Sequence, residues 1–372
     1  MSEYQYYEFQ ALDRPLSEAD KAHIRTLSSR VEPTARSASF VYHYGDFRGD
    51  PEDLLERCFD MMLYIANWGT QQLIFRLPKA LVDIDRLREY ELACGVIVST
   101  TDQSVLVEIH INDEEGFGWT DGEGTLPQLL SLRENLLDGD YRALYLGWLA
   151  AATVNPYTDE DDIENTLEPP VPANLVKLTP PLRALADWLR IDPDLVTVAA
   201  QASPTVKETK PPIADWVASL SEQAKNRYLV RVAEGDPEVG RELMLTLRQR
   251  FAEDEPDAVG EGMRSLSTLL AEAASYETER VAKEAAAAKR ARTNHLKKLS
   301  SKKENLWDRA IDLIEKKQAK PYDEAVSILV DLKALAEIEN EQAAFKERFD
   351  ALYLAYQRRH SLIQRMRAAK LF

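Results

Sequence analysis

The chain has 372 residues, 45% hydrophobic and 29% charged, with a formal net charge of −17; this balance belongs to a folded protein of two or three domains and excludes a disordered chain. No apolar run approaches the ~20 residues that span a bilayer, and MSEYQYYEFQ has neither the basic nor the apolar region of a secretion signal, so no membrane contact and a cytoplasmic location are expected. Cys58 and Cys94 are the only cysteines, which excludes a disulfide framework and a cysteine-based zinc or iron–sulfur site; both are expected to be reduced, buried and inert.

Residues 1–155 alternate between two periodicities. YQYYEFQAL (Tyr4 to Leu12) is aromatic and β-prone. Ser17 opens a helix with Asp20 three residues on, a capping-box pattern, and Ala19, His23, Ile24 and Leu27 share a face. SASFVYHY (Ser37 to Tyr44) reads as a strand. In GDFRGDPEDLLERCFDMMLYIANWG, Asp50 caps a helix and Pro51 fits its first turn. Leu54, Leu55, Cys58, Met61, Met62 and Ile65 form an apolar helical face, and Gly69 ends that helix. QLIFRLP is a strand stopped by Pro78, and a short helix follows around Leu81 to Tyr90. GVIVST and SVLVEIHI, joined by Thr101, Asp102 and Gln103, read as a hairpin. LPQLLSLRENLL and DYRALYLGWLAAATV read as helices. The order β-α-β-α-β-α-β-β gives the fold class: an α+β domain of helices on a mostly antiparallel sheet, followed by all-α modules with C-terminal helical hairpins.

After Asn155 the periodic pattern lapses. NPYTDEDDIENTLEPPVP and SPTVKETKPP read as connectors, so 156–211 is expected to be an acidic, Pro-rich linker carrying helices. Residues 212–275 form a small helical unit punctuated by Gly235–Asp236–Pro237. Residues 276–372 form a basic arm and hairpins. KPYDE breaks the helix at Pro321. Ala325, Val326, Ile328, Leu329, Leu332, Leu335 and Ala336 form one apolar face; Phe345, Phe349, Leu352 and Tyr356 another; Leu362, Ile363 and Met366 a short last one.

Charge is distributed unevenly. From Arg280 to Lys303, through KEAAAAKRARTNHLKKLSSKK, there are nine basic residues and one acid, Glu284; the segment carries +8 and the remainder −25. The binding residues expected here are Lys289, Arg290, Arg292, Lys297, Lys298, Lys302 and Lys303. Their charge wraps around the helix, and no aromatic residue is present in the arm for base stacking.

HLKKLSSKKENLWDRAIDLIEKKQAKPYDEAVSILVDLKALAE, continued by FKERFDALYLAYQRRHSLIQRMRAAKL, resembles the C-terminal helical region of bacterial SWIM zinc-finger proteins. The resemblance covers about the last fifth of the chain and implies tetratricopeptide-like hairpins that bind a protein. SWIM modules chelate zinc through Cys and His pairs, which Cys58 and Cys94 do not supply, so the zinc module is absent. The opening EYQYYEFQALDRPLSEAD, with FVYHYGDFRGDPEDLLERCFDMMLYIANWGTQQLIFRLP, resembles an uncharacterised bacterial family and implies no chemistry.

Candidate catalytic residues are few. His43, Asp46 and Asp50 in YHYGDFRGDP, with Glu108 and His110 in EIHI, would make a His/carboxylate metal site or an acid–base pair. The bland alternative is that Asp50 caps a helix while Glu108 and His110 line the wet face of a sheet. DEEGFGWTDGEG (Asp113 to Gly124) lacks EF-hand spacing and reads as a solvated loop. The consecutive carboxylates Asp159 to Asp162 point apart and cannot converge on one metal. No phosphate-binding loop, dinucleotide fingerprint or hydrolase motif occurs. No metal or cofactor is therefore expected, and enzymatic activity is the least favoured of three readings. The first is an adaptor that binds a protein through hairpins and basic arm. The second is a nucleic-acid accessory contacting phosphates through the arm. The third is an enzyme using His43, Asp46 and His110.

Overall fold

The structure, a computed structural model, describes residues 3–113, 122–154, 165–206, 213–236, 239–251, 259–260 and 264–372. The loop at 114–121, the carboxylate run at 159–162 and the second connector at 207–212 lie outside the described residues. The chain divides into two compact units, Met1–Tyr276 and Glu277–Phe372.

The first unit is built on six strands: β1 (Gln5–Gln10), β2 (Ser37–Tyr42), β3 (Met61–Ala66), β4 (Thr70–Pro78), β5 (Val96–Thr100) and β6 (Ser104–Asn112). Their order is β2-β1-β3-β4-β6-β5, with every pairing antiparallel. The expected β5–β6 hairpin is present, closed by the Thr101 N–H on the Ser104 carbonyl at 2.9 Å.

One expectation is corrected at the centre of this sheet. The helix foreseen from Asp50 to Gly69 stops early: α2 spans Pro51–Cys58, Phe59 turns extended, and Met61–Ala66 is the strand β3, buried along its whole length. A continuous apolar run reads alike as a buried helix or a strand covered on both faces, because alternation marks a strand only when one face is wet. Gly69 (φ +102°) lies in the β3–β4 turn instead of capping a helix.

Alternation across the sheet separates two cores. On one face Tyr7, Phe9, Phe40, Met62, Tyr64 and Ile74 pack with α1 (Glu18–Leu27) and α2 through Ile24, Leu54, Leu55 and Cys58. On the other, Tyr6, Leu63, Phe75, Val107 and Ile109 meet α3 (Ile84–Arg88), α4 (Leu126–Leu129), α5 (Ser131–Leu137) and α6 (Arg142–Val154). Helix α6 is apolar all round and buries every residue from Ala143 to Ala152, as a helix covered on all sides must. Gly147 permits its close seating: a Cβ there would lie 2.9 Å from Ile109 side-chain atoms.

The described residues between 165 and 206 pack on the sheet. Val171, Leu175, Leu182, Leu185, Leu195 and Val198 belong to the same core as the sheet. They come from the short strand β7 (Val171–Pro172) and from α7 (Pro180–Trp188) and α8 (Pro193–Ala199). Polar, proline-rich composition conceals the apolar side chains that the described part of this segment buries. The helices α9 (Ile213–Ala218), α10 (Glu222–Ala233) and α11 (Val239–Phe251) follow, then β8 (Val259–Gly260), paired with β7. The long helix α12 (Leu266–Ser300) begins by burying Leu266, Leu269 and Ala273 in the first unit's core.

In the second unit, the end of α12 is followed by α13 (Lys303–Glu315), α14 (Ala319–Glu339), α15 (Gln342–Tyr356) and α16 (His360–Ala368). The break before α14 falls at residues 316–318, where Lys317 takes φ +55°, and Pro321 sits in the first turn that follows. The apolar faces read from the sequence form its core, with Ala325, Leu329, Leu332, Phe349, Leu362 and Met366 buried.

Polar contacts fix the direction of each helix. Arg292 pairs with Asp331 and Ser300 with Glu339, both 39 residues apart, so the end of α12 runs parallel to α14. Glu304 pairs with Arg348 and Glu315 with Arg359, both 44 apart, so α13 runs parallel to the segment from α15 into α16. Arg365 reaches Asp323 at 2.6 Å, 42 residues away, which lays α16 along the first half of α14. The helices therefore form two layers, α12, α14 and α16 in one and α13 and α15 in the other. Stacked helical hairpins have this arrangement, here with offsets longer than the roughly 34 residues of a tetratricopeptide unit.

Candidate functional site

The sheet topology keeps the proposed catalytic residues apart. His43 and Asp46 follow the edge strand β2, whereas His110 is in β6, with β1, β3 and β4 between them. The His43 and Asp46 side chains both pack at the start of β1, and the three strand spacings of about 4.8 Å from β1 to β6 amount to roughly 14 Å, beyond the reach of one water. His43 packs its ring against Tyr4, and Asp46 accepts a 3.5 Å hydrogen bond from Gln5 Nε2. Asp50 caps α2 through the Glu52 N–H at 2.8 Å.

Only Glu108 and His110 are brought together. They are 3.3 Å apart on one face of β6, both half-buried, with Gln72 at 3.4 Å from the imidazole. Among the described residues, no group of three or more His, Cys, Asp or Glu side chains is placed to hold a metal ion.

The strongest polar constellations are buried networks that chain order conceals. Arg133 is fully buried and donates to both carboxylate oxygens of Asp13, at 2.9 and 2.6 Å, and to the Arg76 carbonyl at 2.8 Å. Asp60 pairs with Arg76 and accepts the Leu12 and Asp13 N–H groups at 2.6 and 2.9 Å. Two guanidiniums and two carboxylates thus tie the exit of β1, the start of β3, β4 and α5 into one neutral set.

A second network holds Glu168, whose carboxylate is shielded from water. Arg264 grips both its oxygens at 2.8 and 2.7 Å, and the Tyr145 hydroxyl donates to it. Burial pushes the Tyr145 hydroxyl pKa far up, with the Glu168 charge adding to it. Hydrogen bonding to Glu168 raises the Arg264 guanidinium against the opposing effect of burial. In each network the buried carboxylates are paired with guanidinium groups, which ties together segments distant in sequence.

The basic arm sorts into two groups. Arg280 and Lys283 make pairs along the helix with Glu284 and Glu279, at 3.1 and 3.3 Å. Arg292 is compensated by Asp331, and Lys303 by Glu339 at 2.9 Å and by Glu341. Hydrogen bonds to Glu341 and Glu339 raise the pKa of the Lys303 ammonium. Arg292 and Lys303, expected as binding residues, are thus partnered within their own unit.

Lys289, Arg290, Lys297, Lys298 and Lys302 are exposed, and no carboxylate among the described residues pairs with them. Leu296 is buried and fixes which side of α12 faces the unit. Arg290 and Lys297, seven residues apart, share an outward face about 10.5 Å along the axis, and Lys298 lies around the helix from them.

The charge sign divides at the boundary between the units. Met1–Tyr276 has 25 basic and 48 acidic side chains, net −23; Glu277–Phe372 has 21 and 15, net +6. No helix of the described residues is long and apolar enough to cross a membrane. No family model, no curated protein and no solved structure matches the chain.

Proposed function

We propose that this chain is a non-enzymatic docking protein whose C-terminal helical unit engages an acidic protein partner. One observation carries the reading: Lys289, Arg290, Lys297, Lys298 and Lys302 remain exposed without carboxylate partners, while the other cations of the same segment are compensated. A helix covered with uncompensated cations is a surface for anions.

Two features favour a polypeptide over a nucleic acid. Four of the five side chains are lysines, which make point-charge contacts and lack the bidentate fork of arginine. The arm also has no aromatic residue to stack a base.

The test is anisotropy of a labelled glutamate-rich peptide and of labelled duplex DNA, titrated with the full chain from about 50 to 300 mM NaCl. The peptide is expected to bind in a salt-sensitive manner. Replacing the five side chains by Gln weakens it at least about tenfold. Tighter binding of DNA, with the same loss in the variant, would transfer the surface to phosphates. Absence of binding to either at the lowest salt would end the docking reading.

A further inference from the structure

We propose that a groove between α14 and α15 receives an amphipathic α-helix from a partner protein, on a surface separate from the cationic face. The groove has a volume of about 480 Å³. Helix α14 contributes Lys333, Ala336 and Glu337 to it, at i, i+3 and i+4. Helix α15 contributes Gln342, Phe345, Lys346, Phe349 and Asp350, again one stripe at helical spacing. Two adjacent stripes of this kind are the ridges and trough into which a third helix packs.

The unit's own architecture identifies the occupant. Helix α16 lies beside the first half of α14, with Arg365 on Asp323, and the residues after it reach further along, where Lys333 Nζ donates to the Lys370 carbonyl at 2.7 Å. It has 9 residues where α14 has 21, roughly 14 Å against 32 Å of axis. The groove continues that helix–helix interface along the remainder of α14, with Leu371 and Phe372 at the junction.

A helix seated there extends the α12–α14–α16 layer. Its chemistry follows from α16, which meets the unit with Leu362, Ile363 and Met366 at i, i+1 and i+4, all buried. The occupant therefore carries an aliphatic stripe. It also carries a basic residue toward Glu337 or Asp350 and an acidic one toward Lys346. The aromatic floor of Phe345 and Phe349, rings 5.7 Å apart and stacked, suits branched aliphatic side chains.

The probe is a stapled amphipathic helix of about 18 residues with leucines at i, i+3, i+4 and i+7. A scrambled peptide of the same composition is the control, and both are titrated into the full chain. Saturable binding of the amphipathic peptide alone is expected, weakened at least about tenfold by Phe372→Asp and by Gln342→Trp. Phe372 is 58% exposed and Gln342 is exposed, so both variants keep the fold. Lys297→Gln with Lys298→Gln leaves this binding unchanged, which separates its failure from that of the cationic surface. A benzophenone photoprobe at position 342 captures the peptide.

Equal binding of the scrambled peptide, equal affinity in both groove variants, or no saturation by about 1 mM would overturn the proposal. Self-association of the chain that the peptide fails to reverse, and that Phe372→Asp abolishes, would overturn it in favour of a second copy as occupant.

Discussion

Arg133 and Asp13 stand 120 residues apart in sequence and meet in a two-pronged ion pair, at 2.9 and 2.6 Å, with the arginine wholly enclosed. The pair spans the core between the first strand and helix α5. Removing one partner strands the other charge away from water. Arg133→Met is therefore expected to destabilise the fold by about 3–5 kcal/mol, read from urea denaturation. Combining it with Asp13→Asn and Asp60→Asn should cost less than the single changes summed. Additive losses would show that the four charged groups do not act as one set.

Opposite pH signatures are expected at two carboxylates of the first unit. Burial works against the charge of Asp20, but hydrogen bonds from Arg14, at 2.8 Å, and Ser17 hold its pKa well below the usual range. A depressed folded-state value means stability present above about pH 4 and lost as acid protonates the group. The difference between the wild type and Asp20→Asn should thus be largest near neutrality and shrink in acid. Glu52 has the reverse sign. Burial raises its pKa, reinforced by Glu108, Asp50, Glu56 and Asp53. A raised value favours the protonated folded state, a contribution present in acid and lost as pH climbs. Glu52→Gln should raise the melting temperature at about pH 7 and leave it unchanged at about pH 3. A neutral-pH decrease would refute the crowding of charge around this helix.

The cysteines should differ sharply in reactivity. Cys58 is buried, and burial together with the neighbouring Asp20 pushes its thiol up to about 11. Cys94 was expected to be buried too, but it is exposed, on a left-handed turn residue at φ +60°. An aromatic disulfide reagent added to the native protein should consume one thiol quickly, and Cys94→Ser should abolish that fast phase. Two fast thiols would mean that the Cys58 end of α2 opens readily.

Features set by local chemistry were readable from residue order. The capping box of Ser17 and Asp20, the Asp50 cap, the hairpin at Thr101 to Ser104 and the apolar faces of α14 to α16 depend on residues within a few positions of one another. Met61–Ala66 was not readable, because a strand covered on both faces loses the alternation that identifies it. The Arg133 and Glu168 networks were missed for a related reason. Their partners are separated by 120 and 96 residues, and a lone Asp or Arg carries no mark of burial. His43 and His110 looked like partners only by residue type, until three strands came between them. Within the cationic arm, composition showed the excess charge. Only the helix directions revealed that Arg292 and Lys303 are answered by acids of α14 and its following turn, while Lys297 and Lys298 are not.

The boundary between Tyr276 and Glu277 also divides the molecule by sign. Severed there by a protease, the two fragments would migrate toward opposite electrodes near neutral pH. Added electrolyte has two effects on the intact molecule: it relieves crowding among the carboxylates of one fragment while masking the ammonium groups that the other presents. Low ionic strength thus favours the attraction of anions to the C-terminal unit, and high ionic strength the stability of the N-terminal one.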